Sequence, residues 1–184
     1  WPDQLLLLFS QDLLKRHPGS KVIFDVKSSR LLQEAIEYAG GEGIMTPSGH
    51  SIIKARMRKH QAKLAGEMSG HLCFADHWYG FDDALYAACR LLELLAADSE
   101  RSPAEILAAI PKWPATPEIM LPMTEAAGHD FMRQFVARAS FPDARLTTID
   151  GLRIDFDEGW GLVRQSNTVP ALTLRFEAKT EADL

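Results

Sequence analysis

Two cysteines, Cys73 and Cys89, are all that 184 residues carry, too far apart in the chain for a CxxC spacing. A disulfide framework and a thiolate metal knuckle are thereby excluded, and both thiols read as small core residues of a reducing compartment, which the cytoplasm fits best. No apolar run can cross a bilayer either: LLLLF at 5–9 falls far short of the roughly 20 residues required and has no basic flank before it. No membrane partner is expected. Nor is there a surplus of basic charge, since 20 Lys+Arg stand against 25 Asp+Glu for a formal net charge of -5, with the cations scattered along the chain. A nucleic-acid partner is excluded on that ground, because no basic face is left for a phosphate backbone. Internal repeats and low-complexity segments are missing. So are the G-x-S-x-G elbow and the S-x-x-K motif, and Ser48 near His50 lacks a placed third member, so no catalytic nucleophile is expected in this chain.

What is present is a globular composition, 46% hydrophobic and 24% charged, enough for a sizeable core in one or two domains. Two grammars divide the chain. Over residues 1–112, amphipathic helical patterns (3–17, 29–41, 50–61, then FDDALYAACRLLELLAA and SPAEILAAI) alternate with the strand-like runs KVIFDV and IMTP. Asp82 or Asp83 is the expected N-cap of the fourth helix. This alternation predicts an α/β domain with a mostly parallel sheet. PKWPATP, 111–117, packs three prolines into seven residues and reads as a stiff linker. Beyond it, residues 113–184 hold five strand-like runs (EIMLPM, LTTIDG, LRIDFDEG, WGLVRQ, ALTLRFEAK) and one helix around FMRQFVARA, which predicts a small α+β domain with a mostly antiparallel sheet. Thr180 and Asp183 look like the capping box of a helix that the chain does not complete, the mark of a fragment.

The chemistry concentrates in two loops. GEMSGH at 66–71 sets Glu67, Ser69 and His71 between glycines, where a carboxylate and a hydroxyl can hold a vicinal diol of a sugar. The plainer alternative is a polar turn with Glu67 solvated. A metal gains little support from the Glu-x-x-x-His spacing, because no third or fourth ligand follows at a recognised interval. RQSNTVP at 164–170 offers Arg164, Ser166, Asn167 and Thr168 in five residues, a guanidinium and a nest of N–H and O–H groups suited to phosphate; a proline-ended hairpin turn is equally compatible. Lys27, at the end of the KVIFDV strand, and His50, at the start of a helix with Lys54 one turn on, add cationic groups where α/β sheets gather ligands. Asp76 and His77 sit in an aromatic stretch that reads as packing for the next helix, and His129 and Asp130 read as solvated.

FDVKSSR, TPSGHSIIK, GEMSGH with WYGFDDALYAACRLLELL, and DGLRIDFDEGWGLVRQSNTVPALTLRFEA resemble, in this order and over nearly the whole chain, the third and fourth domains of the α-D-phosphohexomutases, in particular the bacterial phosphomannomutase/phosphoglucomutase group. The resemblance implies a TATA-box-binding-protein-like fourth domain without its final helix. It implies that Glu67 and Ser69 hold the sugar hydroxyls O3 and O4, that Lys27 and His50 approach the ligand, and that Arg164, Ser166, Asn167 and Thr168 grip the phosphate that is not reacting. The implied activity interconverts 1- and 6-phosphates of glucose and mannose through a phosphoserine and a glucose 1,6-bisphosphate intermediate. Met68 favours that group over phosphoglucosamine mutases, which resemble GEQSGH; a portion of such a mutase, or a stand-alone phosphosugar-binding module, is the alternative. The family's TASHNP-like serine motif and its DGDGDR-like magnesium loop do not occur here. The resemblance therefore implies an excised C-terminal half, inactive alone, whose partners are hexose phosphates and the missing N-terminal half that binds Mg2+.

Overall fold

A computed structural model describes residues 1–184. The chain separates into two compact units, Trp1–Lys112 and Trp113–Leu184. No helix in either is long and apolar enough to cross a membrane.

The first unit runs α1 (Pro2–Arg16), β1 (Lys21–Asp25), α2 (Arg30–Tyr38), β2 (Glu42–Thr46), α3 (His50–His60), β3 (Leu64–Gly66), β4 (Leu72–Phe74), α4 (Ala84–Ala97) and α5 (Pro103–Ala108). Its sheet has the order β2-β1-β3-β4, the first three strands parallel and β4 antiparallel to β3. The α/β expectation with a mostly parallel sheet holds. Alternation along the strands divides the core. Val22, Phe24, Leu64, Leu72 and Phe74 face α1, α2, α4 and α5, while Ile23, Ala65 and Cys73 face Ile53 and Met57 of α3. Asp83, not Asp82, caps α4, its side chain accepting from Tyr86 N at 3.0 Å. The β3–β4 hairpin was not anticipated: each strand is three residues long, too short for a periodicity signal. Of the two thiols only Cys73 is a core residue, its pKa pushed up to about 11 by burial, whereas Cys89 lies exposed on α4.

The second unit holds β5 (Ile119–Pro122), α6 (Glu125–Arg138), β6 (Arg145–Thr147), β7 (Leu152–Asp155), β8 (Gly159–Gln165) and β9 (Ala171–Ala178). The strands form one fully antiparallel sheet, β5-β9-β8-β7-β6, as the alternating runs predict. Met132 and Phe135 of α6 cover one face through Leu152, Ile154 and Leu172. The other face carries buried charge. The Arg153 guanidinium lies 3.8 Å over the Trp160 ring and donates from Nε to Asp155 at 3.1 Å, while Trp160 Nε1 donates to Glu177 at 2.9 Å. The proline-rich stretch is less free than a linker, because Thr116 N donates to Phe176 O and Ala178 N to Pro114 O, both at 3.0 Å. That extends the β9 edge. At the other end, Asp183 N donates to Thr180 Oγ1 at 3.2 Å within a turn, the capping contact read from the sequence.

Candidate functional site

GEMSGH is the tight connection of the β3–β4 hairpin, closed by Glu67 N to His71 O at 3.0 Å and Gly70 N to Glu67 O at 2.9 Å. Gly70 has φ +99, a left-handed conformation that a side chain would resist. Three other elements pin this turn. Met68 N donates to Asp25 Oδ1 at 3.0 Å, Gly49 N donates to Glu67 Oε2 at 2.8 Å, and His71 Nδ1 lies 2.6 Å from Asp82 Oδ2. Leu72 N donates to the other Asp82 oxygen at 3.1 Å, so this aspartate braces the hairpin instead of capping α4.

Asp25 organises the region, and no sequence signal singled it out. It is fully buried at the end of β1, where Oδ1 also accepts from Ser28 Oγ at 2.9 Å and Oδ2 from Ser48 Oγ at 2.8 Å. One carboxylate thus ties together the turn after β1, the PSG loop before α3 and GEMSGH. The available hint was an acid ending a buried strand and followed by two serines. Lys27 Nζ stands 3.9 Å from Asp25 Oδ2, and its side chain is 12% exposed. His50, exposed, opens α3 directly after Gly49; its ring centroid lies 5.7 Å from that of His71. Ser69 is exposed on the turn.

Glu67 is only 3% exposed, and its Oε1 is buried without a hydrogen-bond partner. The solvated-turn alternative fails here. Burial pushes its carboxyl above the usual carboxylate range; the Gly49 N–H opposes this, and the nearby Asp25 charge adds to it. A buried carboxylate oxygen with nothing to accept is costly by itself and is suited to a donor from outside the chain.

In the second unit Arg164 is the penultimate residue of β8, 4% exposed, with Nε donating to Asp150 Oδ2 at 3.0 Å and Nη2 buried without a partner. Gly151 makes that contact possible: at φ +76 a Cβ there would lie 2.3 Å from Val163 O. The following loop is organised from within, since Ser166 Oγ accepts from Thr168 N and Val169 N, each at 3.3 Å. Ser166 N in turn donates to Ala171 O at 2.9 Å. Asn167 and Thr168 are exposed at its tip.

The remaining candidates are structural. Asp76 accepts from Arg16 at 2.8 Å and Arg90 at 3.1 Å; burial alone would raise its pKa, but the two arginines hold it below the usual range. Trp78 stacks on Tyr86 with centroids 4.5 Å apart, the packing role expected of that stretch. His17, Asp76 and His77 bring possible metal-ligand atoms within 4.8 Å of one another, yet Asp76 is already engaged by two guanidiniums and Lys63 Nζ lies 3.1 Å from His17 Nδ1. His129 and Asp130 are solvated.

Comparison with known proteins identifies the family. Residues 1–113 match the model "Phosphoglucomutase/phosphomannomutase, alpha/beta/alpha domain III", and residues 118–184 match that family's C-terminal domain. The chain belongs to the phosphoglucomutase/phosphomannomutase family, as its third and fourth domains. It is similar to a phosphoglucomutase of Neisseria gonorrhoeae, 52% identical over 99% of this chain and 40% of that protein. It is similar also to a phosphomannomutase/phosphoglucomutase of Pseudomonas putida, 48% identical over 100% of this chain and 40% of that protein. The chain thus spans about 40% of the length of these relatives. Among solved structures, a family protein of Burkholderia thailandensis superposes with TM-score 0.93 at 44% identity, covering 100% of this chain and 39% of its own. An N-acetylphosphoglucosamine mutase of Aspergillus fumigatus, solved with GlcNAc-6P and magnesium, shares the fold alone, at TM-score 0.64 and 14% identity over 99% of this chain and 43% of its own.

Proposed function

We propose that this chain supplies the sugar-reading and phosphate-reading loops of an enzyme that interconverts the 1- and 6-phosphates of glucose and mannose. The observation that carries the reading is Glu67 Oε1, buried and without a partner in a turn pinned by Asp25 and Gly49. A rigid, desolvated acceptor discriminates hydroxyl donors strongly, because a ligand lacking the hydroxyl leaves it unpaired. Glu67 and Ser69 then hold O3 and O4, with Lys27 and His50 as nearby cationic or donor groups, and C2 is left unread. Arg164 keeps Nη2 for a phosphate oxygen while Asp150 fixes its Nε, and Ser166, Asn167 and Thr168 supply the remaining donors. Holding one phosphate while the other reacts is catalysis by positioning.

The phosphoryl carrier and the metal belong to the rest of the enzyme. Mg2+ prefers octahedral oxygen coordination, and the residues here do not fit it: Asp25 is occupied by Ser28, Ser48 and Met68 N, and Glu67 has one oxygen to offer. Glucose 1,6-bisphosphate is the intermediate to which both loops would be exposed, and the cytoplasm, where free thiols persist, is the compartment. The relatives' names support glucose and mannose phosphates over glucosamine phosphate as substrates.

The test is made in the full-length enzyme with Glu67→Gln. Turnover of glucose 1-phosphate and mannose 1-phosphate should fall alike, and that of 3-deoxy and 4-deoxy analogues much less. An equal penalty on the deoxy analogues would return GEMSGH to a structural turn.

A further inference from the structure

The cations of α3 have no carboxylate to answer them. HSIIKARMRKH contains no acidic residue, and Lys54, Arg56, Arg58 and Lys59 form no ion pair, in a chain whose formal net charge is -5. Beside this helix opens a cavity of about 500 Å³, within the roughly 300–1,000 Å³ of small-ligand sites. Lys54, Arg58 and Lys63 line it together with Gln61, Tyr79 and Phe81, and no acidic side chain does. Lys27, His50, Glu67 and Ser69 are not among its lining residues, so it is distinct from the sugar loop.

Its aromatic wall is unusual for a solvent-facing loop. Tyr79 is 81% and Phe81 42% exposed, yet their rings lie parallel within 7°, centroids 6.1 Å apart. They are held from behind. The Trp78 ring lies with its centroid 5.1 Å from that of Tyr79 and stacks on Tyr86, while Gly80, at φ +74, turns the loop and donates its N–H to Phe74 O at 2.8 Å. A prearranged aromatic face is what a flat ring stacks upon, and base-on-aromatic stacking tolerates any base. Lys54 and Arg58, one helical turn apart and without a carboxylate, repel each other, Lys63 adds a third positive charge while touching His17, and an oligoanion relieves that repulsion.

We infer that this groove binds a nucleoside diphosphate, its base against Tyr79 and Phe81 and its phosphates on Lys54, Arg58 and Lys63. A hexose monophosphate matches it less well, having no flat ring and less negative charge.

Calorimetric titration of the full-length enzyme with UDP, GDP, ADP and inorganic pyrophosphate tests this. All three nucleotides should bind saturably at one site, and pyrophosphate at least tenfold more weakly. Arg58→Glu should weaken nucleotide binding at least tenfold, and Tyr79→Ala should bring it down to the level of pyrophosphate. Hexose-phosphate turnover in both variants reports that they are folded. Arg164→Ala should leave nucleotide binding intact, which separates this groove from the phosphate loop and from the reading given to it. Absence of saturable binding, pyrophosphate binding as tightly as the nucleotides, or loss of binding with Arg164→Ala but not with Arg58→Glu overturns the assignment.

Discussion

GEMSGH and RQSNTVP are both short turns between antiparallel strands, but their tips are held in different ways. The first is fastened from outside: Asp25, Gly49 and Asp82 bind it from three separate elements, two of the contacts through buried carboxylates. The second is fastened at its tip from inside, by Ser166, and at its ends from outside, where Arg164 is anchored on Asp150, Gln165 Nε2 donates to Glu125 O at 3.3 Å and Pro170 O accepts from Met123 N at 3.0 Å. The contrast matches what each is proposed to read. Hydroxyl positions on a ring differ by small displacements, so their reader must be rigid, whereas a phosphate presents equivalent oxygens and tolerates an adaptable nest.

The most damaging way to break the contrast is Asp25→Ala. It removes the buried carboxylate that accepts from Ser28 Oγ, Ser48 Oγ and Met68 N, so the chain should lose about 3 kcal/mol, read as a lower urea midpoint with unchanged slope. An effect below about 1 kcal/mol would mean that GEMSGH is not held from outside.

Arg164→Ala should weaken binding of every hexose phosphate by about 1.5–3 kcal/mol, whatever the sugar, in titrations of the full-length enzyme. A loss confined to one hexose would remove the division of labour between the loops.

Ser166→Ala tests the internal fastening. Two N–H groups lose an acceptor at an exposed site, so we expect about 1 kcal/mol or less in stability and faster amide exchange confined to 166–171.

The smallest effect has the opposite sign. Glu67 has its pKa raised in the folded chain, so the stability linked to it is present below its unfolded value and lost as pH rises through the folded one. Glu67→Gln, which cannot ionise, should therefore unfold at slightly higher urea than the parent at pH 7, the gap closing as the pH falls into the ordinary carboxylate range. Stability gained where activity is lost marks a strained functional group. A variant less stable at pH 7 would assign Glu67 a structural role.

Much of this was legible in the residues. Helices and long strands announced themselves because a 3.6- or 2-residue period over eight or more positions survives local noise, as in α2 and β9. Both candidate loops were visible too, since glycine and proline bracket clusters of polar groups. The β3–β4 hairpin was not, nor the exposure of Cys89, because three-residue strands and single apolar positions carry no period.

Local order and chemistry thus follow from neighbours in the chain: which segments are helix or strand, where turns fall, and which side chains each loop can present. Only the folded arrangement decides energies. That Glu67 is desolvated instead of solvated depends on Gly49 and Asp25, 18 and 42 positions away, and a carboxylate's cost and selectivity are set by the medium around it. That Asp25 is a keystone and not a strand-end charge depends on three donors brought from Ser28, Ser48 and Met68. Hydrogen bonds and dielectric are properties of proximity in space, and the linear order of residues does not encode them locally.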